Sequence, residues 1–156
     1  APYVDILQIG ARNMSNFRLL EVVRGAGKPM LLKRGIAATY EELLLAAEYL
    51  IAGDERIILC ERGIRTFEPW TRNTLDISAV PILRQASHLP VCVDISHAAG
   101  RKDILASLAR ASLAAGANLL MMEVHPAPSQ ARCDVQQQID FAEFDALLAA
   151  VHDLLP

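Results

Sequence analysis

Aromatic residues make up only 5% of the 156 positions, with a single Trp, which argues against a Tyr/Trp-rich sandwich. Cysteine is scarce as well. Cys60, Cys92 and Cys133 are widely spaced, odd in number and form no Cys-x-x-Cys pair, so neither a disulfide framework nor a zinc ribbon is supported. A reducing, cytoplasmic setting is expected. There is no basic run: 15 Lys and Arg are interspersed with 18 Asp and Glu, for a net charge of −3, which excludes nucleic acid and anionic membrane surfaces as partners. Apolar stretches fall short of the about 18–20 residues a membrane span needs. The start has no basic segment or signal-like core. It also has no initiator Met, so Ala1 reads either as a processed terminus or as a chain missing its front. No P-loop or Gly-x-Gly-x-x-Gly is present, and a nucleotide is not indicated.

What is abundant is aliphatic: 53% of the chain is hydrophobic, mostly Ala, Leu, Ile and Val. Short apolar runs recur at Tyr3–Ile9, Pro29–Lys33, Arg56–Cys60, Pro90–Ile95 and Asn118–Val124. They are continuous rather than alternating, as in strands buried on both faces of a parallel sheet. Helical periodicity fills the gaps. One stripe runs through Phe17, Leu20 and Val23, and another through Leu43, Leu44, Ala47 and Leu50, with Thr39 and Glu42 as a capping box. A third helix spans about Asp76 to Ala86, bent or restarted by Pro81. A fourth spans Lys102–Ala115 and stops at Gly116. The fifth follows Asp140, with Glu143 three residues on. The order is five successive βα units in one domain, residues 1–156. Each unit takes roughly 31 residues, the same as in an eight-unit barrel of about 250. An open doubly wound sheet has the same element order.

In either architecture chemistry collects at the C-terminal ends of parallel strands. Those ends read Gln8-Ile9-Gly10-Ala11-Arg12-Asn13, Lys33-Arg34-Gly35, Cys60-Glu61-Arg62-Gly63, Asp94-Ile95-Ser96-His97 and Glu123-Val124-His125-Pro126. Arg12, Lys33 and Arg62 converging on one mouth make a site for an anion with several negative groups. The Arg forks suit phosphate or carboxylate, and Lys is a compact point charge. Gly10 and Ala11 let backbone N–H groups approach the same anion. His97, Glu123 and Asp134 form a set able to hold a divalent transition metal. His125 is open between a supporting contact, a substrate contact and a plain loop residue. Cys133 reads as an incidental thiol or a soft ligand, and Cys60 and Cys92 as small core residues. Trp70, in the polar loop from Thr66 to Thr74, is either a lid anchor or simple packing.

Six strings carry a resemblance that spans essentially the whole chain, in order. They are Gln-Ile-Gly-Ala-Arg-Asn, Lys-Pro-Met-Leu-Leu-Lys-Arg-Gly, Cys-Glu-Arg-Gly-Ile-Arg-Thr-Phe, Asn-Thr-Leu-Asp-Ile-Ser-Ala-Val-Pro, Val-Asp-Ile-Ser-His-Ala and Glu-Val-His-Pro-x-Pro. Together they resemble the 3-deoxy-D-arabino-heptulosonate 7-phosphate (DAHP) synthases, in their short microbial form. The resemblance implies a (β/α)₈ TIM barrel of which these five units match strands four to eight. It implies a metal-dependent transferase that condenses phosphoenolpyruvate with erythrose 4-phosphate, the entry to the shikimate pathway of aromatic amino acid biosynthesis. Arg12, Lys33 and Arg62 then resemble the residues that hold the phosphate and carboxylate of phosphoenolpyruvate, with Gly10 and Ala11 beside them as the backbone contacts read above. His97, Glu123 and Asp134 resemble three ligands of a divalent ion (Mn, Fe, Co or Zn), and Lys33 and His97 take catalytic roles.

The family's fourth ligand, a Cys in Gly-Pro-Cys-Ser, and its aldose-phosphate loop, Lys-Pro-Arg-Thr, have no counterpart in these 156 residues. The expectation is therefore an incomplete barrel that forms a homo-oligomer or associates with a chain supplying the missing strands. Two alternatives stand beside it. One is the octulosonate 8-phosphate synthase sibling; the other is a non-catalytic partial barrel that needs a partner.

Overall fold

The structure, a computed structural model, describes residues 3–51 and 56–155; residues 1, 2 and 156 of the expected domain lie outside them. Five parallel strands form one sheet: β1 (Leu7–Ile9), β2 (Met30–Lys33), β3 (Ile57–Glu61), β4 (Val91–Asp94) and β5 (Leu119–Met121). Their spatial order is β1-β2-β3-β4-β5. That order decides between the two architectures. A doubly wound sheet reverses direction at a switch point, whereas here every strand pairs with its neighbour in sequence, as in a barrel wall.

Among the described residues, six α-helices connect and flank the strands: α1 (Phe17–Val23), α2 (Tyr40–Glu48), α3 (Ala79–Ala86), α4 (Ile95–Ala99), α5 (Leu105–Ala114) and α6 (Phe141–Val151). The predicted capping box of α2 is present, and the Asp140–Glu143 pair noted at the start of the last helix forms a second one. Thr39 and Glu42 open α2, and Asp140 and Glu143 open α6, each pair exchanging side-chain and backbone hydrogen bonds. Pro81 does not bend α3. It sits in the first turn, where a missing N–H costs nothing.

The predicted strand bounds shrink most at the sheet edges. β1 begins at Leu7 rather than Tyr3, because pairing with β2 starts only at Leu7↔Met30. Tyr3 is left 96% exposed. β5 ends at Met121 because β4 offers no partner beyond Asp94; Val124 pairs instead with Ile139 in an isolated bridge. The short helix α4, read in the sequence as strand end and loop, is capped by the Asp94 side chain, which accepts from the His97 N–H.

Alternation along the strands separates two apolar layers. Met30, Leu32, Ile57, Leu59, Val91 and Val93 belong to the main core together with helix residues such as Leu43, Leu83 and Leu147. Leu31, Cys60 and Cys92 form a second cluster. With a side-chain period of two, Lys33, Arg62 and Asp94 continue the face of this second cluster, while Arg34 and Glu61 continue the core face.

Candidate functional site

At the C-terminal ends of the strands, Gly10, Ala11, Arg12, Lys33 and Arg62 line a single cleft of about 460 Å³, with His97 and Asp134 on its wall. The predicted cationic residues are thus brought together. Two further arginines, Arg65 and Arg72, also line it. They were missed in the sequence because they follow the strand end at a distance, on the loop that returns over the sheet. This loop is held by the pairing of Ile64 with Thr74. It begins at Gly63, whose φ is +87°, and a Cβ there would lie 2.7 Å from the Asn73 Cβ. Only glycine permits that turn and that approach together.

The cations differ in their partners. Lys33, 4% exposed, places its ammonium 2.5 Å from Asp94 Oδ2. Arg12 is exposed on a 3₁₀ turn, Ala11–Asn13. Arg62 is 7% exposed, and its Nη1 is buried without a hydrogen-bond partner among the described residues. Burial pushes the Arg62 guanidinium pKa down, against the opposing charge of Asp94. A buried guanidinium nitrogen with no acceptor is costly. An anion entering the cleft would satisfy it.

Asp94 is the residue that the strand-end reading undervalued. It is fully buried, receives the His97 N–H at 3.0 Å, and lies 2.8 Å from His97 Nδ1. Burial raises its carboxyl pKa, but the His97 contacts and the Lys33 charge outweigh that and hold it below the usual range. Its position three residues before His97, as a helix-capping Asp, is the signal that could have revealed it.

With the Asp94 carboxylate 2.8 Å from Nδ1, His97 has its Nε2 3.6 Å from Glu123 Oε1. His97, Glu123 and Asp134 each offer one ligand atom, all within 4.8 Å of one another. Donors around one ion at about 2.0–2.2 Å lie three to four ångströms apart, so the three residues must draw together slightly to share a divalent cation, and their donor chemistry suits one. The carboxylate behind the imidazole is the arrangement that fixes a metal-binding tautomer.

Glu123 is anchored at its backbone, where its N–H donates to Ser96 Oγ at 3.0 Å. Asp134 has φ +51°, the one non-glycine residue with positive φ among those described, a strained geometry that tends to mark functional sites. His125 does not join the cluster. Its Nδ1 accepts the Ala127 N–H at 3.0 Å, a turn contact. Cys133 is exposed and is not part of the ligand group. Trp70 is 76% exposed and bounds a 720 Å³ depression that adjoins the cleft, sharing Arg72 and Asp134 with it.

A profile of the DAHP synthetase I family matches residues 1–155. The chain is 56% identical over 155 residues to a phospho-2-dehydro-3-deoxyheptonate aldolase from Thermotoga maritima, covering 99% of this chain and 46% of that protein. Similarity to a 2-dehydro-3-deoxyphosphooctonate aldolase from Pelobacter propionicus is 31% over 163 residues, covering 97% of this chain and 59% of that protein. The crystal structure of the DAHP synthase from Thermotoga maritima superposes with a TM-score of 0.95 at 55% identity, covering 98% of this chain and 45% of that one. A truncated form of that enzyme gives the same TM-score and identity, with 59% of its chain covered. The chain spans about half the length of the relatives it matches.

Proposed function

The chain belongs to the DAHP synthetase I family, and from that premise we propose that it carries the donor site and three metal ligands of an enzyme that condenses phosphoenolpyruvate with erythrose 4-phosphate. Under this reading, residues 1–156 are the last five βα units of a TIM-barrel synthase domain working in the cytoplasm. The barrel is completed by association with further copies or with a chain that supplies the remaining strands. The observation that carries the proposal is the cleft itself. In a chain of net charge −3, five Lys and Arg side chains and one carboxylate line it, and one of those cations is buried with an unsatisfied donor.

The reaction joins the methylene carbon of phosphoenolpyruvate to the aldehyde carbon of the sugar. Water adds at the neighbouring carbon, and inorganic phosphate leaves. This chain contributes chiefly position and charge. Arg12 and Arg62 hold the donor's phosphate and carboxylate, with backbone N–H groups of Gly10 and Ala11 alongside. Lys33, held against Asp94, stands beside the donor's anionic groups and can shuttle a proton at Nζ. His97, oriented by Asp94, fixes the ligand cluster with Glu123 and Asp134. A divalent ion held there supplies Lewis acidity toward the aldehyde oxygen; Mn, Fe, Co and Zn all suit this donor set. The greater likeness to the heptulosonate enzyme, 56% against 31%, favours a four-carbon acceptor over the five-carbon one.

Titration calorimetry with phosphoenolpyruvate tests the donor site. The chain should bind it, and Arg62→Met should weaken binding by about 10–100-fold, as expected for one buried charged hydrogen bond. Equal affinities would remove Arg62 from the site. Assays with four- and five-carbon aldose phosphates, with any completing chain added, test the acceptor. Product from the five-carbon sugar alone would assign the octulosonate reaction instead. Donor binding with no turnover in any assembly would favour the non-catalytic partial barrel.

A further inference from the structure

Behind the ligand cluster lies a hydrogen-bonded chain that the strand-end pattern does not contain. Arg72 Nη1 donates to Asp134 Oδ1 and to Gln137 Oε1, each at 2.7 Å. Gln137 is 2% exposed, and its Nε2 donates to Glu123 Oε2 at 2.6 Å. The amide can face only this way. A guanidinium has no acceptor and an ionised carboxylate no donor, so the carbonyl must meet Arg72 and the NH₂ must meet Glu123. One oxygen of each carboxylate is thereby occupied. The other oxygen of Glu123, Oε1, is the one that faces His97 Nε2.

The anchor of this chain is itself built in. The Arg72 N–H donates to the Ala99 carbonyl at 3.0 Å and the Asn73 N–H to that of Ala98 at 2.9 Å. Asn73 Nδ2 also donates to the His97 carbonyl at 3.1 Å. A Cβ on Gly100, where φ is +67°, would fall 2.5 Å from the Arg72 Cβ, so the close approach of loop and helix depends on glycine. The arginine that grips the Asp134 carboxylate is therefore laced to α4, the helix that carries His97.

We propose that Arg72 and Gln137 are positioning residues that act as one relay, orienting the Glu123 and Asp134 carboxylates toward His97 so that the three converge on a single divalent ion. This inference rests on the metal reading above. It has a sign that charge alone does not. Deleting a cation beside the cluster would, electrostatically, tighten binding of another cation. Loss of orientation weakens it.

Co²⁺ is the probe, with its dissociation constant taken from calorimetry and its coordination from visible absorption on the full 156-residue chain. Gln137→Met and Arg72→Met should each weaken Co²⁺ binding by about 10–100-fold, the usual cost of losing a supporting partner of a metal ligand. Each should also alter the Co²⁺ spectrum, which a remote packing change would not. The double variant should bind within about threefold of the weaker single one, because both act through one chain. Metal-free melting curves check the fold, and Gln137→Met alone decides if Arg72→Met does not fold. Unchanged or tighter binding in Gln137→Met, or fully additive losses, overturns the relay while His97-dependent binding by the wild type keeps the metal reading. A wild-type chain that takes up no Co²⁺ overturns both.

Discussion

Lys33 and Arg34 are adjacent in sequence, and the strand pleat sends them to opposite sides of the sheet. Lys33 joins Asp94 in the cleft. Arg34 turns to the helix side, where Nη1 donates to Glu61 at 2.9 Å and Asp76 at 2.7 Å, Nε donates to the Ala38 carbonyl, and the guanidinium stacks over the Tyr40 ring at 4.5 Å. Glu61 is fully buried and also accepts the Gly63 N–H. Arg34 and Glu61 thus brace the two strand ends from which Lys33 and Arg62 project. Arg34→Met would strand the Glu61 charge and should cost about 3–5 kcal/mol in urea unfolding. Adding Glu61→Leu should recover much of that loss; a single variant as stable as wild type would refute the bracing role.

Asp76 belongs to the same network and has a pH signature. Burial raises its carboxyl pKa, but hydrogen bonds from Ser78, Tyr40 and Arg34 outweigh it and hold it below the usual range. The folded chain therefore binds this proton more weakly than the unfolded chain does. Asp76 contributes stability above about pH 4, and that contribution fades as the pH drops through its lower folded value. Unfolding free energies of Asp76→Asn measured from pH 5 to 2 should fall less steeply than those of wild type.

At the scale of elements, helix starts are written locally and site loops are not. Asp140 accepts the Glu143 N–H, and Glu143 returns a bond to the Asp140 N–H, both at 2.8 Å. Asp140→Ala should destabilise the chain by about 1 kcal/mol, within a range of about 0.5–2, seen as a lower melting temperature. No comparable local rule gives the loop after β3. Its course depends on two glycines with positive φ and on the Ala98 and Ala99 carbonyls at the end of α4, which accept the Asn73 and Arg72 N–H groups. For that reason Arg72, Asn73 and Gln137 escape any reading by strand ends, although each is a short step from a residue that does not.

For the whole molecule, β1 and β5 each have one strand neighbour among the described residues. Both are short, and Leu119 on β5 is 37% exposed. Unpaired strand edges promote association, and an apolar groove of about 520 Å³ runs beside β5 between α5 and α6. Purified alone, the chain should elute from size exclusion with light scattering as dimers or larger species; a monodisperse monomer across micromolar concentrations would count against this. Among the described residues no helix is long and apolar enough to cross a membrane, in keeping with the lack of long apolar runs in the sequence.

The scarcity of aromatics, the aliphatic runs and the capping residues determined the secondary structure and the βα repeat, because periodicity and capping act over a few residues. The sequence strings carried the family resemblance, and seven of the eight candidate site residues stand at strand ends, because parallel strands deliver their C-terminal ends to one rim; Asp134 lies beyond them. Tertiary structure alone decided that the sheet runs in sequential order rather than doubly wound. It also decided that Lys33 is matched by Asp94, and that the carboxylates of Glu123 and Asp134 are held from behind by Arg72 through Gln137. Those contacts join residues 14 to 65 positions apart, and no short-range rule constrains such pairs. Only the assembly of β2 with β4 in one sheet, and the packing of one loop against another, brings them together.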